Sequence, residues 1–189
     1  AIASADDYVF PEVDALGHVT ERSSYDREHI ERVLALELVD REAIRAAGFR
    51  VVVDAVNSVG GTVIPALLRE LGVEVIELNC TPDGKFAHNP EPIPENLTEI
   101  SARVPAEKAH LGIVVDPDVD RLALVCEDGT MFGEEYTLVA VADYVLSHTP
   151  GATVSNLSSS RALRDVTQKH GCRYTASAVG EVNVVAKMK

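Results

Sequence analysis

"GIVVDPDVDRLALV" (Gly112–Val125) is the stretch that decides how this chain is read. Two apolar runs, Ile113–Val115 and Leu122–Val125, each have the composition of a buried strand. Between them stand Asp116, Asp118 and Asp120, with Arg121 directly behind. Crowded carboxylates raise the cost of ionising one another, so the pattern calls for a bound cation or for the open solvent around a hairpin. An EF-hand calcium loop fails on the residues. Glu127 stands at its twelfth place, but Arg121 occupies the position that needs glycine, and the flanks are strand-like rather than helical. A magnesium site fits better, because Mg²⁺ takes hard oxygen ligands, few carboxylates at a time, and fills its shell with water and phosphate oxygen. On an extended backbone alternate side chains point the same way, which would converge all three Asp on one ion. Arg121 beside them offers a guanidinium fork to a phosphate.

Working outward, strands and helices alternate. "REHIERVLALELV" carries a helical apolar stripe (Ile30, Val33, Leu34, Leu38) behind a cap at Ser24 or Asp26. "REAIRAAG" predicts a short helix stopped by Gly48. "FRVVVDA" predicts a strand covered on both faces, "NSVGG" a turn, "TVIPALLRELG" a helix and "VEVIELN" a strand. A proline-rich loop, "CTPDGKFAHNPEPIPEN", leads to a helix over 97–108 that Pro105 interrupts, and then to the acidic stretch. After "EDGTMFG" the pattern restarts: helix ("EEYTLVAVADYVLSH"), strand ("GATVSNL"), helix with Ser158–Ser160 at its start, strand ("CRYTASAV") and a last helix from Gly180. The expectation is an α/β fold of two consecutive α/β units with mostly parallel sheets, the second truncated. Residues 1–24 read as a connecting segment, 25–130 as the first unit and 131–189 as part of the second. The missing initiator Met and the uncapped helical end read as an excerpt of a longer protein.

Composition narrows the partners. With 46% hydrophobic residues and 25% charged ones, the 189-residue chain has the balance of a globular protein with a core. A formal net charge of −13 with no basic cluster argues against nucleic acid. No apolar run approaches the roughly 18 residues of a membrane span, and no signal-peptide pattern opens the chain. Cys80, Cys126 and Cys172 are scattered in apolar surroundings and read as free thiols, which suits a reducing compartment. Cytoplasm is the expected location.

"DPDVDR" resembles the metal-binding loop of the α-D-phosphohexomutases, commonly D-G-D-G-D-R, and "VVVDAVNSVGG", "TPDGKFAHNPEP" and "AVGEVNVVAKMK" resemble further signature segments of that family in the right order. Within the family, the last looks more like the phosphoglucosamine mutase branch or its bifunctional relatives than the glucose or mannose enzymes. The resemblance covers most of the chain after Tyr25. It implies the second domain and part of the third of a multi-domain isomerase that moves phosphate between the 1- and 6-positions of a phosphorylated hexose. The implied chemistry runs through a phosphoserine and a bisphosphorylated sugar, with Mg²⁺ on Asp116, Asp118 and Asp120 and Arg121 on the phosphate.

The resemblance also implies partners within the same protein: an N-terminal domain with the phosphoserine and a C-terminal domain. The serine segment has no match here, since Ala87 stands where "AHNP" would need it, so the excerpt alone is expected to be inactive. Pro117 and Val119 replace the two glycines of the commonest loop and restrict its backbone. Ser158 and Arg161 are candidates for sugar or phosphate binding, with capping and surface charge as their plainer readings. Gly180 and Glu181 fall where the family approaches its cleft, although a first-turn carboxylate also suits the helix dipole. His88 reads as a structural loop histidine. The rival function is a non-catalytic metal- or nucleotide-binding α/β domain.

Overall fold

The computed structural model describes residues 9–189. Part of the expected connecting segment, residues 1–8, lies outside the described residues; its remainder is exposed, with a single 3-10 turn at Val13–Ala15. Then follow α1 (Tyr25–Leu34), α2 (Arg41–Ala47), β1 (Arg50–Asp54), α3 (Gly60–Glu70), β2 (Glu74–Leu78), α4 (Thr98–Ala106), β3 (Leu111–Val115) and β4 (Leu122–Cys126). The second series is α5 (Glu134–His148), β5 (Thr153–Asn156), α6 (Ala162–Lys169), β6 (Tyr174–Ser177) and α7 (Glu181–Met188).

The first sheet has the order β2-β1-β3-β4, parallel except for the antiparallel β3–β4 pair that brackets the acidic loop. The second is the parallel pair β5–β6. Burial on both faces explains the unbroken valines of β1. Val52 packs with Leu97, Ile100, Val104, Val114 and Val125 under α4, whereas Val51 and Val53 pack on the other face with Ile30, Leu34, Leu71 and Val73. The α/β/α layering follows from this alternation across the strand.

Local details depart from expectation in several places. Helix α1 ends at Leu34, and Leu38 falls in the turn beyond it. Neither predicted cap forms, because the Ser24 hydroxyl donates instead to Glu28 Oε1 at 2.8 Å. Gly60 and Gly61 are not a turn but the first residues of α3, pressed so close to the chain after β2 that a Cβ on Gly61 would lie 2.3 Å from the Cys80 carbonyl oxygen. Pro105 sits in the last turn of α4, where at most the final turn is left to disturb, and it does not interrupt the helix, which runs to Ala106. Helix α2 is stopped as expected by Gly48 in the left-handed region, φ 61°. Between the two series, Val125 bridges to Met131 and the Tyr144 hydroxyl of α5 donates to Leu38 O at 3.0 Å. Among the described residues no helix is long and apolar enough to cross a membrane.

Candidate metal centre

Parallel strands β1 and β3 end side by side, and the acidic loop leaves the carboxyl end of β3, the edge where open α/β sheets gather their ligands. Asp116 is buried at 1% exposure, while Asp118 and Asp120 are open to solvent. Each of the three offers one carboxylate oxygen, and these oxygens lie within 4.8 Å of one another. An extended backbone does not achieve this convergence. The chain turns at Pro117–Val119, closed by Val119 N–H donating to Asp116 O at 3.1 Å, with Val119 at φ 63°. The turn is the reason Asp116 and Asp120 meet at all, since the antiparallel strands must reverse within six residues. Ser58, just before α3, donates its hydroxyl to Pro117 O and fixes the loop from the β1 side.

Arg121 ties the loop together. Its backbone N–H donates to Asp116 Oδ1 at 3.0 Å and its Nε to Asp116 Oδ2 at 2.7 Å, while a terminal nitrogen donates to Glu91 Oε1. Burial alone would push the Asp116 carboxyl up, but the Arg121 side chain and N–H outweigh it and hold the carboxyl below its usual range. The repulsion anticipated from the sequence is visible at Asp120, whose pKa is raised first by Asp118 and then by its small burial and by Asp116. Glu91, and then Asp116, raise the Arg121 pKa, so the guanidinium is a permanent cation. Three hard oxygen donors around a space left anionic despite one guanidinium is a donor set that could hold a metal ion.

The other predicted site residues lie elsewhere. Ser158 follows β5 in a turn that Asn156 Oδ1 closes by accepting from Ser158 N–H (2.9 Å), Ser158 Oγ (2.6 Å) and Ser159 N–H (3.2 Å). The serines therefore do not open α6 as expected; the helix begins at Ala162, with exposed Arg161 before it, because Asn156 holds the serines in their own turn. Gly180, at φ 115°, and exposed Glu181 begin α7 just beyond β6. Since β5 and β6 are parallel, all four residues share one edge of the second sheet. Among the described residues no hydrogen bond or ion pair joins them to the acidic loop; the structure brings Asp116, Asp118, Asp120 and Arg121 together and leaves this group as a separate cluster.

Sequence reading missed Glu91, Asp54 and Ser58. His88 Nε2 lies 3.0 Å from Oδ2 of Asp54, a carboxylate 1% exposed at the end of β1, and its Nδ1 lies 2.8 Å from Asn89 O. The structural reading of His88 fits this anchoring of the proline-rich loop. The one available signal was an Asp closing a buried strand at its carboxyl end; nothing local links Glu91 to Arg121.

Comparison with known proteins returns one family across the chain. The sequence model for phosphoglucomutase/phosphomannomutase, alpha/beta/alpha domain II, matches residues 27–129, and that for alpha/beta/alpha domain III matches residues 133–189. A probable phosphoglucosamine mutase of Methanopyrus kandleri is 36% identical over 97% of this chain and 40% of its own length. A phosphoglucomutase/phosphomannomutase of Thermococcus kodakarensis is 38% identical over 77% of this chain and 32% of its own. The crystal structure of a phosphoglucomutase/phosphomannomutase family protein from Burkholderia thailandensis superposes with a TM-score of 0.75 at 31% identity, covering 86% of this chain and 35% of that one. The chain thus spans 40% or less of the length of these relatives.

Proposed function

The chain belongs to the phosphoglucomutase/phosphomannomutase family, and on that premise we propose that it is the metal-holding part of an Mg²⁺-dependent phosphohexomutase. The parent protein interconverts the 1- and 6-phosphates of a hexose, with glucosamine, mannose and glucose as the candidate sugars. The observation that carries this reading is the meeting of Asp116, Asp118 and Asp120, one oxygen each within 4.8 Å, beside a fixed guanidinium. Bound there, Mg²⁺ supplies positive charge against the oxygens of a transferring phosphoryl group.

The chain's own residues do the rest of what falls to this part. Asp116, buried and held on both oxygens by Arg121, gives the loop a fixed ligand that needs no ordering on binding. Asp118 and Asp120 face solvent, from which a phosphate approaches. Arg121 keeps donors beyond those spent on Asp116 and Glu91, and these orient and neutralise that phosphate. Ser158, Arg161, Gly180 and Glu181 form the proposed substrate edge, where exposed side chains and helix starts favour sugar hydroxyls and phosphate. The phosphoserine belongs to an N-terminal domain of the parent, and a C-terminal domain completes the cleft; residues 25–130 and 131–189 correspond to the second domain and part of the third. The free thiols support a cytoplasmic location.

A coupled assay on the parent protein tests this reading. Turnover of a hexose 1-phosphate should need Mg²⁺ and fall about 10²–10³-fold in Asp118→Asn, the scale for losing a group that stabilises transition-state charge, while this chain alone shows none. A parent that binds metal but turns over none of the three sugar phosphates would favour the non-catalytic binding domain instead.

A further inference from the structure

Arg121 is shared between two carboxylates of different standing. Its Nε donates to Asp116, a proposed metal ligand, and a terminal nitrogen donates to Glu91, which lies in the proline-rich loop 30 residues away in sequence. The position of Glu91 is built. Its N–H donates to Asn89 Oδ1 at 3.2 Å, and its carbonyl accepts from Asn96 Nδ2 at 2.8 Å. Three residues upstream, His88 is anchored on buried Asp54. A loop pinned at His88 and around Glu91 presents the Glu91 carboxylate at a set place beside the acidic turn. Both oxygens of Asp116 already accept from Arg121, so a divalent cation among the three Asp competes with the guanidinium for that carboxylate. The cation is then bound more easily if Arg121 has another carboxylate to stay with.

We propose that Glu91 is a positioning residue for Arg121: it retains the guanidinium at the rim of the acidic loop when a divalent cation draws on the Asp116 carboxylate, and so sets how readily the loop loads. This rests on the metal reading above and adds to it a residue outside the D-x-D-x-D-R segment.

Mn²⁺ binding to this chain, followed by electron paramagnetic resonance, tests the proposal in a double-mutant cycle. Glu91→Gln should weaken binding about two- to fivefold, the scale of a partly exposed ion pair, and should have no effect in an Arg121→Gln background. An equal loss in both backgrounds would mean that Glu91 acts only as a charge at a distance, and no loss in the first would mean that it does nothing for loading; either overturns the proposal. A diamagnetic readout guards against misfolding of a variant: with Mg²⁺ bound, the NMR resonance of the Arg121 terminal N–H that faces Glu91 should stay protected from solvent exchange in the unsubstituted chain and lose protection in Glu91→Gln. Unchanged protection also overturns it. Failure of the metal reading would look different, with Asp118→Asn binding Mn²⁺ as well as the unsubstituted chain.

Discussion

Val119 occupies the turn that brings the three Asp together, and it does so at φ 63°. A β-branched residue is poorly suited to that region, since the left-handed conformation brings Cβ against the next carbonyl at a cost of about 1–2 kcal/mol for any residue that has one. Comparing Val119→Gly with Val119→Ala isolates this cost, because both remove the two γ-methyls of a half-buried side chain and differ only at Cβ. At an ordinary φ the alanine variant is more stable by ~0.5–1 kcal/mol, as glycine loses more freedom on folding. At this φ the order should invert: the left-handed cost of about 1–2 kcal/mol, less ~0.5–1 kcal/mol of glycine entropy, leaves Val119→Gly ahead by up to ~1.5 kcal/mol, with the middle of the range at ~0.7 kcal/mol. The chain has no Trp, so urea unfolding is best followed by far-ultraviolet circular dichroism, with equal slopes required for the comparison. A more stable alanine variant would refute the left-handed turn and the convergence of carboxylates built on it.

Three further outcomes test the surrounding fold. Gly112→Ala places a Cβ 2.9 Å from Val104 Cγ2 and from Val125 Cβ and 3.1 Å from Ile100 Cδ1, and this overpacking should cost about 1–3 kcal/mol in urea unfolding; an unchanged midpoint would contradict the packing of β3 under α4. Asp143 of α5 has its carboxyl held below the usual range first by His170 and then by Lys169, both at the end of α6. A depressed pKa stabilises above the unfolded carboxylate value, ~3.9, and that stabilisation is lost as pH falls through the folded value. Asp143→Asn should therefore be less stable than the parent chain at neutral pH and equal to it in strong acid; a gap that widens in acid would contradict the pairing. Burial, then Glu77, pushes the Cys80 thiol up to about 11, so iodoacetamide at neutral pH should label Cys80 far more slowly than a free cysteine peptide, and equal rates by mass spectrometry would show the thiol to be open.

Much of this fold is legible in the sequence because period and punctuation agree. The Val51–Val53 run forecast a strand covered on both faces, and Gly48 forecast a left-handed stop; both hold. What stayed hidden depends on contacts distant in sequence. Asn156, not the serines, organises the turn before α6, and only the fold shows which side chain reaches those N–H groups. The acidic loop was legible as a cluster between two strands, but its convergence was read from alternation along an extended backbone, since that and a tight reversal leave the same D-x-D-x-D pattern. Glu91 was out of reach because its partner, Arg121, lies 30 residues away.

Calorimetric titration of Mg²⁺ and Mn²⁺ into this chain is the decisive test of whether Asp116, Asp118 and Asp120 hold a divalent cation. Three carboxylates fill only part of an octahedral shell and leave the rest to water, so binding should be measurable but weak without a phosphate ligand. Asp118→Asn, which removes a charge and keeps the shape, should weaken it about tenfold or more, and the triple Asn variant should give no binding heat. Equal heats and equal affinities for the unsubstituted chain and the triple variant would mean that the acidic loop is a solvated hairpin.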